Sequence, residues 1–134
     1  MRYLATVILL AALPALAQDS PQYRACNQKA KAQPEINECA SKEAARVDAE
    51  LNEVYRKLLS EAADSPDAVV KIKAAQRAWI AYRDAYIEAM YPAKDKPAEY
   101  GSMYPLEVDQ LTAKLTRQQE TALTELLRQY RSGD

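Results

Sequence analysis

Between Gln76 and Asp84 the chain reads QRAWIAYRD, and two of its polar side chains interrupt an apolar helical stripe. Val69, Ile72, Gln76, Trp79, Arg83, Ile87 and Met90 recur at spacings of three and four, which puts them on one face of a helix. Gln76 and Arg83 therefore point to where a core should form, beside the only Trp of the chain. An unpaired buried guanidinium is strongly destabilising, so Arg83 must be paired or stacked. Asp48, Asn52 and Tyr55 follow at spacings of four and three along another apolar stripe and supply candidates. A guanidinium fork suits a carboxylate or an amide oxygen, so Arg83 is expected to meet Asp48 or Asn52, with Trp79 covering its other face. Asp48, Asn52, Gln76, Trp79 and Arg83 then read as a structural polar core that fixes helix register, and Asp84 reads the same way. A ligand site is the alternative.

Catalytic signatures are missing. The chain has no His to act as a base and no glycine-rich phosphate loop. Glu50 with Glu53, and Asp64 with Asp67, have the spacing of helix-surface and capping charges rather than of a buried carboxylate pair. Two cysteines without any His cannot complete a tetrahedral zinc set unless carboxylates join them. The expectation is a protein that is not an enzyme and holds no metal or cofactor.

The stretch YPAKDKPAEYGSMY, from Tyr91 to Tyr104, has Pro, Gly and Ser but no helical period, and reads as the longest loop. It combines Tyr91, Tyr100 and Tyr104 with Lys94, Lys96 and Ser102, the mixture of aromatic anchors and hydrogen-bonding groups found at protein interfaces. These residues are the candidate protein-binding surface. An ordinary helix connection, with its tyrosines packed back on the bundle, is the equal alternative.

The elements that must hold these groups are helical. Gly is used only twice, and the chain is rich in Ala, Leu, Lys, Glu, Gln and Arg, the good helix formers. One long helix is expected from Pro34 to about Ala63, with Ile36, Cys39, Val47, Leu51, Val54 and Leu58 along one face. A second should be capped by Ser65 and run from Pro66 to about Met90. A third should run from Pro105 to about Arg131 with a stripe of Leu106, Leu111, Leu115, Ala122, Leu126 and Tyr130. A short helical turn is expected from Tyr23 to Lys31. Three helices of about 25 residues, each roughly 37 Å long, can share a core only as an antiparallel bundle, so the fold class is all-α.

Arg2, the apolar run Leu4 to Leu13, Pro14 and the small residues Ala15 and Ala17 around Leu16 have the pattern of a secretory signal peptide, residues 1–17. Residues 18–134 then form a single domain, exported to the periplasm or secreted, without a lipid anchor, because no Cys follows the cleavage site. Removing the leader leaves seventeen basic and nineteen acidic residues, a net charge of −2. Neither nucleic acid nor an anionic membrane is implied as partner, and the mature chain has no membrane span. Cys26 and Cys39, an even count in an oxidising compartment, read as one disulfide worth ~3 kcal/mol on the chain-entropy model. Two buried free thiols are the alternative.

Five features in order resemble the LprI-like lysozyme-inhibitor domain family. They are the cysteine-flanked start; the run from Glu38-Cys39-Ala40 through Asp48 and Leu51-Asn52 to Tyr55; Ala75 to Asp84; Gly101-Ser102; and Leu115 to Gln118. The resemblance covers nearly the whole mature chain and implies a small exported helical domain, of which some members inhibit lysozyme. The family commonly has a second cysteine pair, at positions that here correspond to Ile87 and Leu111, so a packing contact is expected to replace that bridge. The resemblance implies a protein-binding domain that inhibits lysozyme or a related peptidoglycan-cleaving enzyme, and the residue types of the loop from Tyr91 to Tyr104 make it the segment expected to enter the cleft. An envelope scaffolding module without lysozyme inhibition is the alternative, and a peptidoglycan enzyme a third. The oligomeric state is left open.

Overall fold

The computed structural model describes residues 19–133, so the leader expected at residues 1–17 lies outside the described residues. The elements are α1 (Pro21–Lys29), α2 (Gln33–Glu61), α3 (Pro66–Met90), α4 (Lys96–Tyr100), a 3-10 turn (Gly101–Met103) and α5 (Tyr104–Ser132). Each start has a local cause. The Ser20 hydroxyl accepts from the Tyr23 N–H and Pro21 occupies the first turn, so α1 begins two residues before the expected Tyr23. Ser65 accepts from the Ala68 N–H to open α3, and Pro34 and Pro105 lie in the first turns of α2 and α5. Gly133, at φ 72°, closes α5 in the left-handed region that only glycine enters freely.

Adjacent long helices alternate in direction, but the most intimate packing joins α2 to α5, which run parallel. Contacts between these two ends of the sequence advance together: Asn37 donates to the Ser102 carbonyl, Arg117 meets Glu43, and Arg131 reaches Glu61. Antiparallel to both, α3 lies with Ile72 among Leu123 and Leu127, and with Gln76 beside Gln119. At one end of the molecule Leu51, Leu58, Ala62, Ile72, Leu123 and Leu127 form the larger apolar cluster. Fully burying each leucine contributes ~1.5–3 kcal/mol. At the other end Tyr23, Cys39, Ala40 and Leu106 form a smaller one, where α1 is bridged to α2 by the Cys26–Cys39 disulfide with Cα atoms 5.7 Å apart.

Two expected stripes shift. On α5 the buried face runs through Leu106, Ala113, Leu115, Thr116, Leu123 and Leu127, while Ala122 and Tyr130 are exposed. Apolar residues at adjacent positions offered two neighbouring stripes, and the approach of α2 selects one. On α3 only Ile72 and Gln76 are buried and Met90 is exposed, because the larger cluster engages the first part of that helix.

Candidate functional site

Of the polar core expected on α3, Gln76 is buried, and its Oε1 accepts from Gln119 Nε2 at 2.9 Å, tying α3 to α5. Trp79 packs at the edge of the larger cluster, and the Arg83 guanidinium lies 5.2 Å from its ring centre. The pairing of Arg83 with Asp48 or Asn52 does not form. Arg83 instead donates to its neighbour Asp84, while Asp48 accepts from Asn52 on the exposed side of α2. Half-buried over the indole, the guanidinium still reaches solvent, so it needs no partner from another helix.

The buried charge of this fold is elsewhere. Glu43 on α2 is 5% exposed and occupies a core position four residues from both Cys39 and Val47. Its Oε2 accepts from the Ser20 hydroxyl at 2.6 Å and from Arg46 Nε at 2.9 Å, and its Oε1 from Arg46 at 2.9 Å and from Arg117 on α5. Burial alone would raise its pKa. The hydrogen bonds from Arg46 and Ser20, with the charges of Arg46 and Arg117, outweigh that and hold the carboxyl at about 2. Three elements thus converge on one carboxylate: the cap residue of α1, α2 itself and α5. A cavity of about 280 Å³ opens beside it, lined among others by Tyr23, Ala40, Gln110 and Ala113, where Gln110 donates to the Tyr23 hydroxyl at 2.9 Å.

From Tyr91 to Tyr104 the chain is more ordered than the expected loop. Asp95 accepts from the Ala98 N–H and Pro97 fits the first turn, so the five-residue α4 forms, and Gly101, at φ 69°, turns the chain into the 3-10 segment. The three tyrosines pack on one another: Tyr91 stands edge-on to Tyr100 and to Tyr104, each at 5.3 Å, and Tyr100 stacks on Tyr104 at 5.7 Å. The Tyr100 hydroxyl accepts from the Ala93 N–H at 3.1 Å. Burial, then the nearby Glu107 carboxylate, push the Tyr91 hydroxyl above its usual pKa. Lys96 donates to Glu88 and to the carbonyls of Tyr91 and Ala93, and the bond to Glu88 raises its pKa. Asn37 fastens the segment to α2 through the Ser102 carbonyl. Of the six candidate residues, Lys94 and Ser102 are exposed, and Met103 joins them. The tyrosines and Lys96 hold the segment together.

Among the described residues no helix is long and apolar enough to cross a membrane. The sequence family described as "Lysozyme inhibitor LprI" matches residues 25–123. An uncharacterized protein of Rhizobium meliloti (strain 1021) is 36% identical over 135 aligned residues, which span 91% of this chain and 91% of that protein. No solved structure matches the chain.

Proposed function

Because this chain belongs to the lysozyme inhibitor LprI family, we propose that it is an exported protein-binding domain that inhibits a lysozyme or a related peptidoglycan-cleaving enzyme. The leader-like pattern up to Ala17 and the Cys26–Cys39 bridge support export. The observation that carries the choice of contact surface is the self-packed tyrosine trio behind the segment from Tyr91 to Tyr104. The trio orders the segment that carries the exposed Lys94, Ser102 and Met103, which lowers the ordering entropy lost on binding. In an enzyme cleft whose acid and nucleophile are carboxylates, Lys94 offers the opposite charge, Ser102 a hydroxyl donor and Met103 an adaptable apolar contact.

The test is turnover of several lysozyme classes on peptidoglycan with the pure protein, against a variant carrying Lys94→Ala, Ser102→Ala and Met103→Ala. Loss of inhibition with unchanged helical circular dichroism supports this surface. Undiminished inhibition moves the contact to the helix faces, and no inhibition by the parent returns the scaffolding reading.

A further inference from the structure

One side of α3 is left uncovered by the rest of the described molecule. Ala75, Ala78, Tyr82, Ala85 and Ala89 are all exposed, and they recur at spacings of three, four, three and four, the heptad seam along which two helices pack. Large apolar side chains on and beside it lie in water: Tyr82 on the seam is 56% exposed and Tyr86 next to it 40%, and their rings lie 5.8 Å apart. Soluble chains rarely leave such a strip bare without a use for it.

The charges beside the seam say what covers it. Arg77, Asp84 and Glu88 share one flank of the strip by helical spacing. Arg77 makes no ion pair among the described residues. Asp84 and Glu88 each hold a single local cation, Arg83 and Lys96, while remaining mostly exposed. In an antiparallel pair of identical helices, each flank meets its own copy. With Tyr82 near the two-fold axis, Arg77 is five residues to one side and Glu88 six to the other, about 7.5 and 9 Å along the helix at 1.5 Å per residue. Arg77 of each copy then lies level with Glu88 of the other, twice over. A parallel pair would instead set this charged flank against the opposite flank, where Tyr86 and Met90 lie, and leave the charges without partners. The alanines on either side of Tyr82 present small side chains to the partner, so the Tyr82 rings at the centre set a separation within the usual range of about 8–10 Å.

We propose that this face of α3 docks a second copy of the chain, antiparallel, around Tyr82 and the Arg77–Glu88 pairs. About two heptads make a small interface, so the dimer is weak and forms at micromolar concentration or above. The pairing does not depend on the inhibition reading, which uses Lys94, Ser102 and Met103.

The experiment is size-exclusion chromatography with light scattering from about 1 to 500 μM. The parent is expected to shift from monomer to dimer, and Ala85→Glu to abolish the shift with unchanged helicity. Arg77→Glu alone and Glu88→Arg alone each place like charges together twice and should weaken association on the order of tenfold or more. An equimolar mixture of those two variants restores opposite charges at both pairs and should dimerise at least as well as the parent. A parent that stays monomeric throughout overturns the proposal, as does a dimer indifferent to the single charge reversals or a mixture that fails to recover. Monomeric protein whose lysozyme inhibition falls with Ala85→Glu assigns the face to the enzyme instead.

Discussion

Arg117 on α5 grips the carboxylate of Glu43 on α2 across 74 positions of sequence, and Arg46, one turn along α2, holds the same carboxylate from the other side. Replacing Glu43 by Ala leaves two guanidinium groups and the Ser20 hydroxyl without their common acceptor. Breaking a buried pair from one side costs about 3–5 kcal/mol. Urea unfolding of Glu43→Ala should therefore show a loss of this order, while Glu50→Ala, on the exposed side of the same network, should change stability by less than about 0.5 kcal/mol.

The same carboxylate sets an acid limit. Its folded pKa of about 2 lies below the ordinary glutamate value of 4.5, so its contribution is fully present above the unfolded value and is lost as pH falls toward 2. Asp109 and Glu120, raised by burial, act in the opposite sense and regain stability on protonation. Melting temperatures measured from pH 7 to pH 2 should fall more steeply for the parent than for Glu43→Gln below about pH 4.5. Parallel profiles would contradict the assignment.

Asp48→Ala should be almost silent, within about 0.5 kcal/mol, because Asp48 is exposed and among the described residues is bonded only to Asn52. Arg83→Met should remove the stack on Trp79, worth ~0.5–1 kcal/mol at a solvent-reaching site, and leave the bundle folded. Thermal melts of the two variants check both statements.

Tyr100 separates scaffold from contact surface. Tyr100→Phe loses the bond from the Ala93 N–H, about 1 kcal/mol, and keeps both ring contacts. Tyr100→Ala removes two aromatic pairs worth ~0.5–1.5 kcal/mol each beyond their buried area. Limited proteolysis should cut Tyr100→Ala between Tyr91 and Tyr104 well before it cuts the parent or Tyr100→Phe.

The three long helices were legible because proline and serine mark their starts: Pro34, Ser65 with Pro66, and Pro105 all fall at observed first turns or caps. The family was legible from ordered motifs, and the match over residues 25–123 agrees with it. Glu43 was not read, although its spacing of four from Cys39 and Val47 puts it inside the apolar stripe by the reasoning that singled out Gln76. Among nineteen acids one glutamate carries no composition signal, and its partner Arg117 lies on another helix. Arg83 misled for the converse reason: periodicity reports which face a residue is on, whereas the depth to which that face is covered depends on how the helices pack. The segment from Tyr91 to Tyr104 hid its short helix because five residues are too few to show a period.

The parallel packing of α2 on α5 also dictates the order in which the chain can become structured. The α5 side chains that cover α2, from Leu106 to Leu127, are synthesised after the intervening helix and connection. A nascent chain that has emerged only as far as Met90 offers α2 only α1 and the first part of α3, and leaves Glu43 without its α5 cation. Closing a loop of that length is entropically slow compared with forming a local hairpin. The largest helix interface of the fold therefore closes only when the last thirty or so residues of the chain arrive.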